Sequence, residues 1–104
     1  MKVIKDLSES IEKELDCAEH YVKLAFAYKE DFPDASRVFL NRSLARLDDV
    51  KALHDQVVSL ISTYRSKTGE PPAPMMAIYD YMHERQIEQA AGIKRLQEMY
   101  KTGN

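Results

Sequence analysis

Lys67-Thr68-Gly69-Glu70-Pro71-Pro72-Ala73-Pro74 decides the architecture of this chain. It holds three of the four prolines and one of the three glycines in 104 residues. Proline lacks the backbone N–H and its ring clashes with the preceding turn, so no helix runs through this stretch. Gly69 suits a helix C-cap, and Pro74 suits the first turn of the helix that follows. The fourth proline, Pro33, marks a second break and fits the start of a helix in the same way. The flanking segments lack period-two alternation and are filled with Ala, Leu, Glu, Lys, Gln and Arg, all good helix formers. They predict three α-helices at roughly 5–31, 33–67 and 74–101 within a single helical domain spanning 1–104.

The composition narrows the function classes. Fifteen Lys and Arg oppose seventeen Asp and Glu, for a net charge of −2. That balance argues against nucleic acid as a partner, because nucleic-acid proteins usually carry a basic excess on one face. The single Cys rules out an internal disulfide and a Cys-rich zinc site. No apolar run approaches the roughly 20 residues that span a bilayer. Residues 1–10, MKVIKDLSES, lack a continuous apolar core of the secretory type. The expectation is a cytoplasmic protein with no membrane partner. There is no Gly-rich phosphate loop, nucleophile elbow or His-Glu-x-x-His motif, so the reading leans away from an enzyme.

Apolar residues recur at helical spacing in all three segments. The first stripe is Ile4, Leu7, Ile11, Leu15, Ala18, Val22, Ala25 and Phe26. The second runs from Phe39 through Leu47, Val50, Leu53, Val57, Leu60 and Ile61 to Tyr64, widened by Leu40, Leu44 and Val58. The third holds Met75, Ile78, Tyr79, Met82, Ala90, Ile93, Leu96 and Tyr100. Rods of roughly 40–50 Å joined by short connections pack as an elongated up-down-up bundle. Three helices leave one side thinly covered, and a homodimer is the expected assembly that covers it.

Several polar residues fall inside these stripes. Glu14 projects near the centre of the first, in line with Tyr21; Arg46 falls on the second; Gln86 and Gln89 share a line with Tyr79 on the third. A buried carboxylate needs a partner. One reading is a buried polar layer in which Glu14 and Arg46 pair while Gln86, Gln89, Tyr21 and Tyr79 take up the leftover hydrogen bonds, fixing register. The other is a metal site built on Glu14 with Asp49, His54 and His83, the two His meeting across the second and third helices. Cys17, at the edge of the first stripe between Asp16 and Glu19, reads as a small packing residue. Tyr81 and Met99 project outward from the third helix and are candidates for an interface with a protein partner. Pro71 to Pro74 also permits a weak Pro-x-x-Pro reading.

The first helix, Ile11-Glu12-Lys13-Glu14-Leu15-Asp16-Cys17-Ala18-Glu19-His20-Tyr21-Val22-Lys23-Leu24-Ala25, resembles the first helix of ferritin-like and rubrerythrin-like proteins. It has a mid-helix Glu, a Tyr seven residues on, then Leu-Ala. Phe39 to Asp55 resembles their second helix, and Tyr79 to Ala91 a later one. The resemblance implies a ferritin-like bundle and, in its metal-binding form, a di-iron or di-manganese centre held by Glu ligands and Glu-x-x-His pairs. Glu14 matches the first-helix Glu. Arg46 and Asp49 stand where the second-helix Glu and His belong, and Gln86 and Gln89 replace the later pair. A dimetal site needs anionic oxygens to offset its charge. The resemblance therefore implies a degenerate site with no metal cofactor, iron or manganese remaining the alternative.

Overall fold

The computed structural model describes residues 1–103. It places them in three helices: α1 (Lys2–Ala27), α2 (Pro33–Thr68) and α3 (Ala73–Thr102). The chain is an all-α, three-helix bundle measuring 56 × 18 × 18 Å. The long axis is the length of α2, whose 36 residues rise about 54 Å at 1.5 Å each.

α1 stops four residues before the expected boundary at 31. The reason lies in Pro33. A residue before proline is pushed out of the helical region, and Phe32 sits at φ −137°, ψ 69°. The chain must therefore leave α1 early enough to turn. Tyr28 N–H closes on the Leu24 carbonyl at 3.1 Å and Phe32 N–H on the Tyr28 carbonyl at 3.0 Å, which delivers Pro33 as the first residue of α2. At the other break, Gly69 adopts φ 97°, ψ −166°, a conformation only glycine enters freely. Its N–H still bonds the Arg65 carbonyl at 3.1 Å before the backbone swings away. Pro71 is buried, so it packs as part of the connector and is not free to serve a Pro-x-x-Pro ligand.

The buried face of α1 is Ile4, Ser8, Ile11, Leu15, Ala18, Val22 and Ala25, in alternating steps of four and three. Ser36, Leu40 and Ser43, and further on Val57 and Ile61, keep the same steps on α2. This seven-residue repeat packs helices at shallow angles, as in left-handed bundles. α1 and α2 are in contact along their length, while α3 leans on α1 and touches α2 least. The core has two clusters: a larger one around Ile11, Leu15, Val57 and Ile93, and a smaller one of Val22, Ala25 and Leu40 flanked by Phe26, Phe39 and Tyr100.

Three residues assigned to the stripes or their edges face outward instead. Ile78 is 64% exposed, Val58 is 49% exposed, and Cys17 is exposed. Each directly adjoins a residue that does face a neighbouring helix: Tyr79, Val57 and Ala18. One residue turns a helix by about 100°, which is enough to carry the side chain off the contact face.

Candidate functional site

Arg46 lies between two carboxylates. Its Nη1 is 3.3 Å from Glu14 Oε2 across the α1–α2 seam, and its Nη2 is 3.2 Å from Asp49 Oδ2 one turn along α2. The Glu14 and Arg46 side chains are 26% and 28% exposed, so the pair sits at the flank of the bundle and not in its centre. The contact is an ion pair without hydrogen-bond alignment: Glu14 Oε2 and Arg46 Nε are both shielded from solvent, and neither makes a hydrogen bond.

The expected single polar layer is split. Gln86 Nε2 donates to the Ser8 carbonyl at 3.2 Å, and Gln89 Nε2 donates to Asp16 Oδ1 at 2.9 Å. Both bonds tie α3 to α1, and Asp16 points away from Arg46, because positions 14 and 16 of a helix point about 200° apart. Tyr21 packs its ring against Phe39 at 6.2 Å, and Tyr79 packs against His83. Neither tyrosine joins the Glu14–Arg46 pair.

His54 of α2 and His83 of α3 do meet, face to face. Their ring centroids are 4.7 Å apart with planes 10° from parallel, and Tyr79 stacks on the far side of His83 at 5.6 Å. Burial and then the neighbouring His54 push the His83 pKa below the usual histidine range, against the opposing pull of Asp80 and Glu84. Burial, followed by Asp80, raises the Tyr79 phenol. This geometry does not bring the alternative metal set together. Imidazole lone pairs lie in the ring plane, so stacked rings do not aim them at a common ion, while Glu14 and Asp49 are engaged by Arg46. Among the described residues no three His, Cys, Asp or Glu side chains gather in a way that could hold a metal.

The seam between α2 and α3 opens beside this stack into a groove of about 380 Å³. Ile11 lies at its α1 side, Leu47, Val50 and His54 at its α2 side, and His83, Ile87 and Ala90 at its α3 side. A second apolar cavity of about 370 Å³ lies where the N-terminal turns of α1 and α3 meet, lined by Ile4, Met75, Tyr79 and Met82 among others.

Of the polar residues that join all three helices, the projected stripes hold Tyr100 but neither Ser36 nor Gln97. Ser43 Oγ donates to the Ala18 carbonyl at 2.7 Å and accepts from Gln97 Nε2 at 2.9 Å. Seven residues earlier, Ser36 Oγ donates to the Ala25 carbonyl and lies 2.8 Å from the Tyr100 hydroxyl. A serine hydroxyl has one proton, so Tyr100 must be the donor to Ser36. Lys29 completes this end: its Nζ donates to the Tyr100 carbonyl at 2.9 Å and stands 4.5 Å above the Tyr100 ring. The available signal was the matched spacing of seven between Ser36 and Ser43 on one helix and between Ala18 and Ala25 on the other.

Tyr81 and Met99, expected as neighbours in one interface, are 61% and 38% exposed. They stand 18 positions apart on α3, about 27 Å along its axis. Tyr81 is covered in part by the Arg85 guanidinium, 5.7 Å from its ring. They do not form one patch. No helix among the described residues is long and apolar enough to cross a membrane. Compared with known proteins, the chain matches no family model, no curated protein and no solved structure.

Proposed function

We propose that this chain acts by association and not by catalysis: a ferritin-like bundle without its dimetal centre, working in the cytoplasm as a homodimer or bound to a protein partner. The observation that carries the reading is the place of Arg46, a fixed cation held at 3.3 and 3.2 Å from two carboxylates. Arginine stays charged at any physiological pH and presents several donors in a rigid fork. It can therefore supply the positive charge that a metal would otherwise bring to Glu14. The groove between α2 and α3 supports association, since Ile87 on its rim is 54% exposed beside the apolar Leu47 and Val50. An exposed free thiol at Cys17 fits a reducing compartment.

Two measurements test the proposal. Anaerobic loading with iron(II) or manganese(II), followed by desalting and elemental analysis, should leave no stoichiometric metal; one bound ion per chain would refute the degenerate centre. Light scattering on the eluted protein should give twice the 12.0 kDa chain mass, and Ile87→Glu should return it to the monomer. A monomeric wild-type chain at about 100 μM would remove the homodimer and leave a partner protein as the occupant of the groove.

A further inference from the structure

The stack of Tyr79, His83 and His54 is the feature that the association reading does not use. It sits where the bundle is least joined, since α3 makes its fewest contacts with α2. The relays through Ser36 and Ser43 hold the α3 segment around Gln97 and Tyr100. The ring stack holds the segment around His83, with the groove between Leu47, Val50 and Ala90 alongside.

We propose that the His54–His83 stack is a proton-operated latch on the α2–α3 seam. It holds the two helices together while at least one imidazole is neutral, and it lets them part when both carry a proton. Two parallel rings with centroids 4.7 Å apart would bring two like charges close together when both imidazoles are protonated, and repulsion rises as the separation falls. The surrounding charges do not cancel it evenly. On α3, Asp80 and Glu84 favour the charged form of His83, and Lys94 lines the same groove. On α2, Asp48 and Lys51 flank the same groove, and Lys51 is itself 3.9 Å from Asp55. α1 contributes the apolar Ile11 and no charged group to the groove lining. The net result already shows at His83, whose charged form is disfavoured in spite of its two acidic neighbours. A group with its folded pKa below the unfolded value adds stability that is complete above the unfolded pKa and is lost as pH falls through the folded one. The latch therefore closes near neutrality and opens in acid.

Amide hydrogen exchange resolved by residue is the direct test. Between pH 7.5 and 5.0, after correction for intrinsic exchange, amides of residues 79–90 should lose severalfold more protection than those of residues 93–100. His54→Phe keeps a ring in the stack and removes the second charge, so the excess should fall below about twofold. An equal acid-induced loss in the variant, or no excess in the wild type, overturns the proposal. Should His54→Phe fail to fold, His83→Phe is read in the same way. The wild-type imidazole resonances give an independent reading: coupled titration of His54 and His83 in two steps supports the latch, and two independent single-site curves overturn it.

Discussion

The two halves of the α2–α3 seam are built from different chemistry. Around Ser36 and Ser43, α3 is joined by directional hydrogen bonds that run on through the serine hydroxyls into α1 carbonyls. Around His54 and His83, it is joined by ring faces, with one apolar groove beside them and another cavity near Met75 and Met82. The first half needs small residues, since Ala18 and Ala25 let the helices approach until a serine spans the gap. The second half fills its space with long and flexible side chains. A polar relay is costly to leave half made, whereas a stack or a methionine contact gives way gradually. One end of the bundle is thus built to a single geometry, and the other can adjust.

Substitutions can break this contrast. Ser43→Val should have the largest effect, because it leaves the buried Gln97 amide without its acceptor; the expected loss is about 2–3 kcal/mol in urea unfolding. Adding Gln97→Leu should recover much of that loss, which would separate an orphaned donor from lost packing. Arg46→Ala comes next. With Arg46 and Glu14 each about a quarter exposed, the loss should be about 1 kcal/mol, well short of the roughly 3–5 kcal/mol that follows when a fully buried partner is stranded. The pH dependence is smaller again, and its sign is fixed by His83: the urea midpoint should fall as pH drops below about 6.5, the ordinary histidine value. Ile78→Ala, in the adjustable half and 64% exposed, should stay within about 0.5 kcal/mol. A loss above about 2 kcal/mol there would mean that this end is packed as tightly as the other.

The helices were legible in the sequence because proline and glycine punctuate it so sharply. Pro33, Gly69 and the cluster at Pro71, Pro72 and Pro74 leave few ways to divide the chain. The meeting of His54 with His83 was legible too, since both flank their stripes on facing helices. An apolar stripe, however, is wider than the core it covers. Glu14 and Arg46 project into apolar lines, yet both stand at the flank, because a stripe wide enough to pack against two neighbours has edges that remain half wet. Gln86 and Gln89 lie near the inward face of α3, whose periodicity does not say which helix they meet, and both turn to α1. Ser8, Ser36 and Gln97 fall outside the apolar stripes because they are polar, although their spacing marks them as core positions. For serine in a helical bundle, position within a seven-residue repeat says more about burial than hydropathy does.

The serine relays also set an order of events during synthesis. Ser36 and Tyr100 are 64 residues apart, and Ser43 and Gln97 are 54 apart. At about 5–20 residues per second, roughly 3–13 s separate the making of each serine from the making of its α3 donor. Once α2 is complete at Thr68, α1 and α2 can pair as a hairpin, but the face meant for α3 is bare, with Ile93 and Leu96 not yet present to cover it. The newborn hairpin is therefore a species with its own exposed surface and its own need for protection, and the last turns of α3 bring that stage to an end.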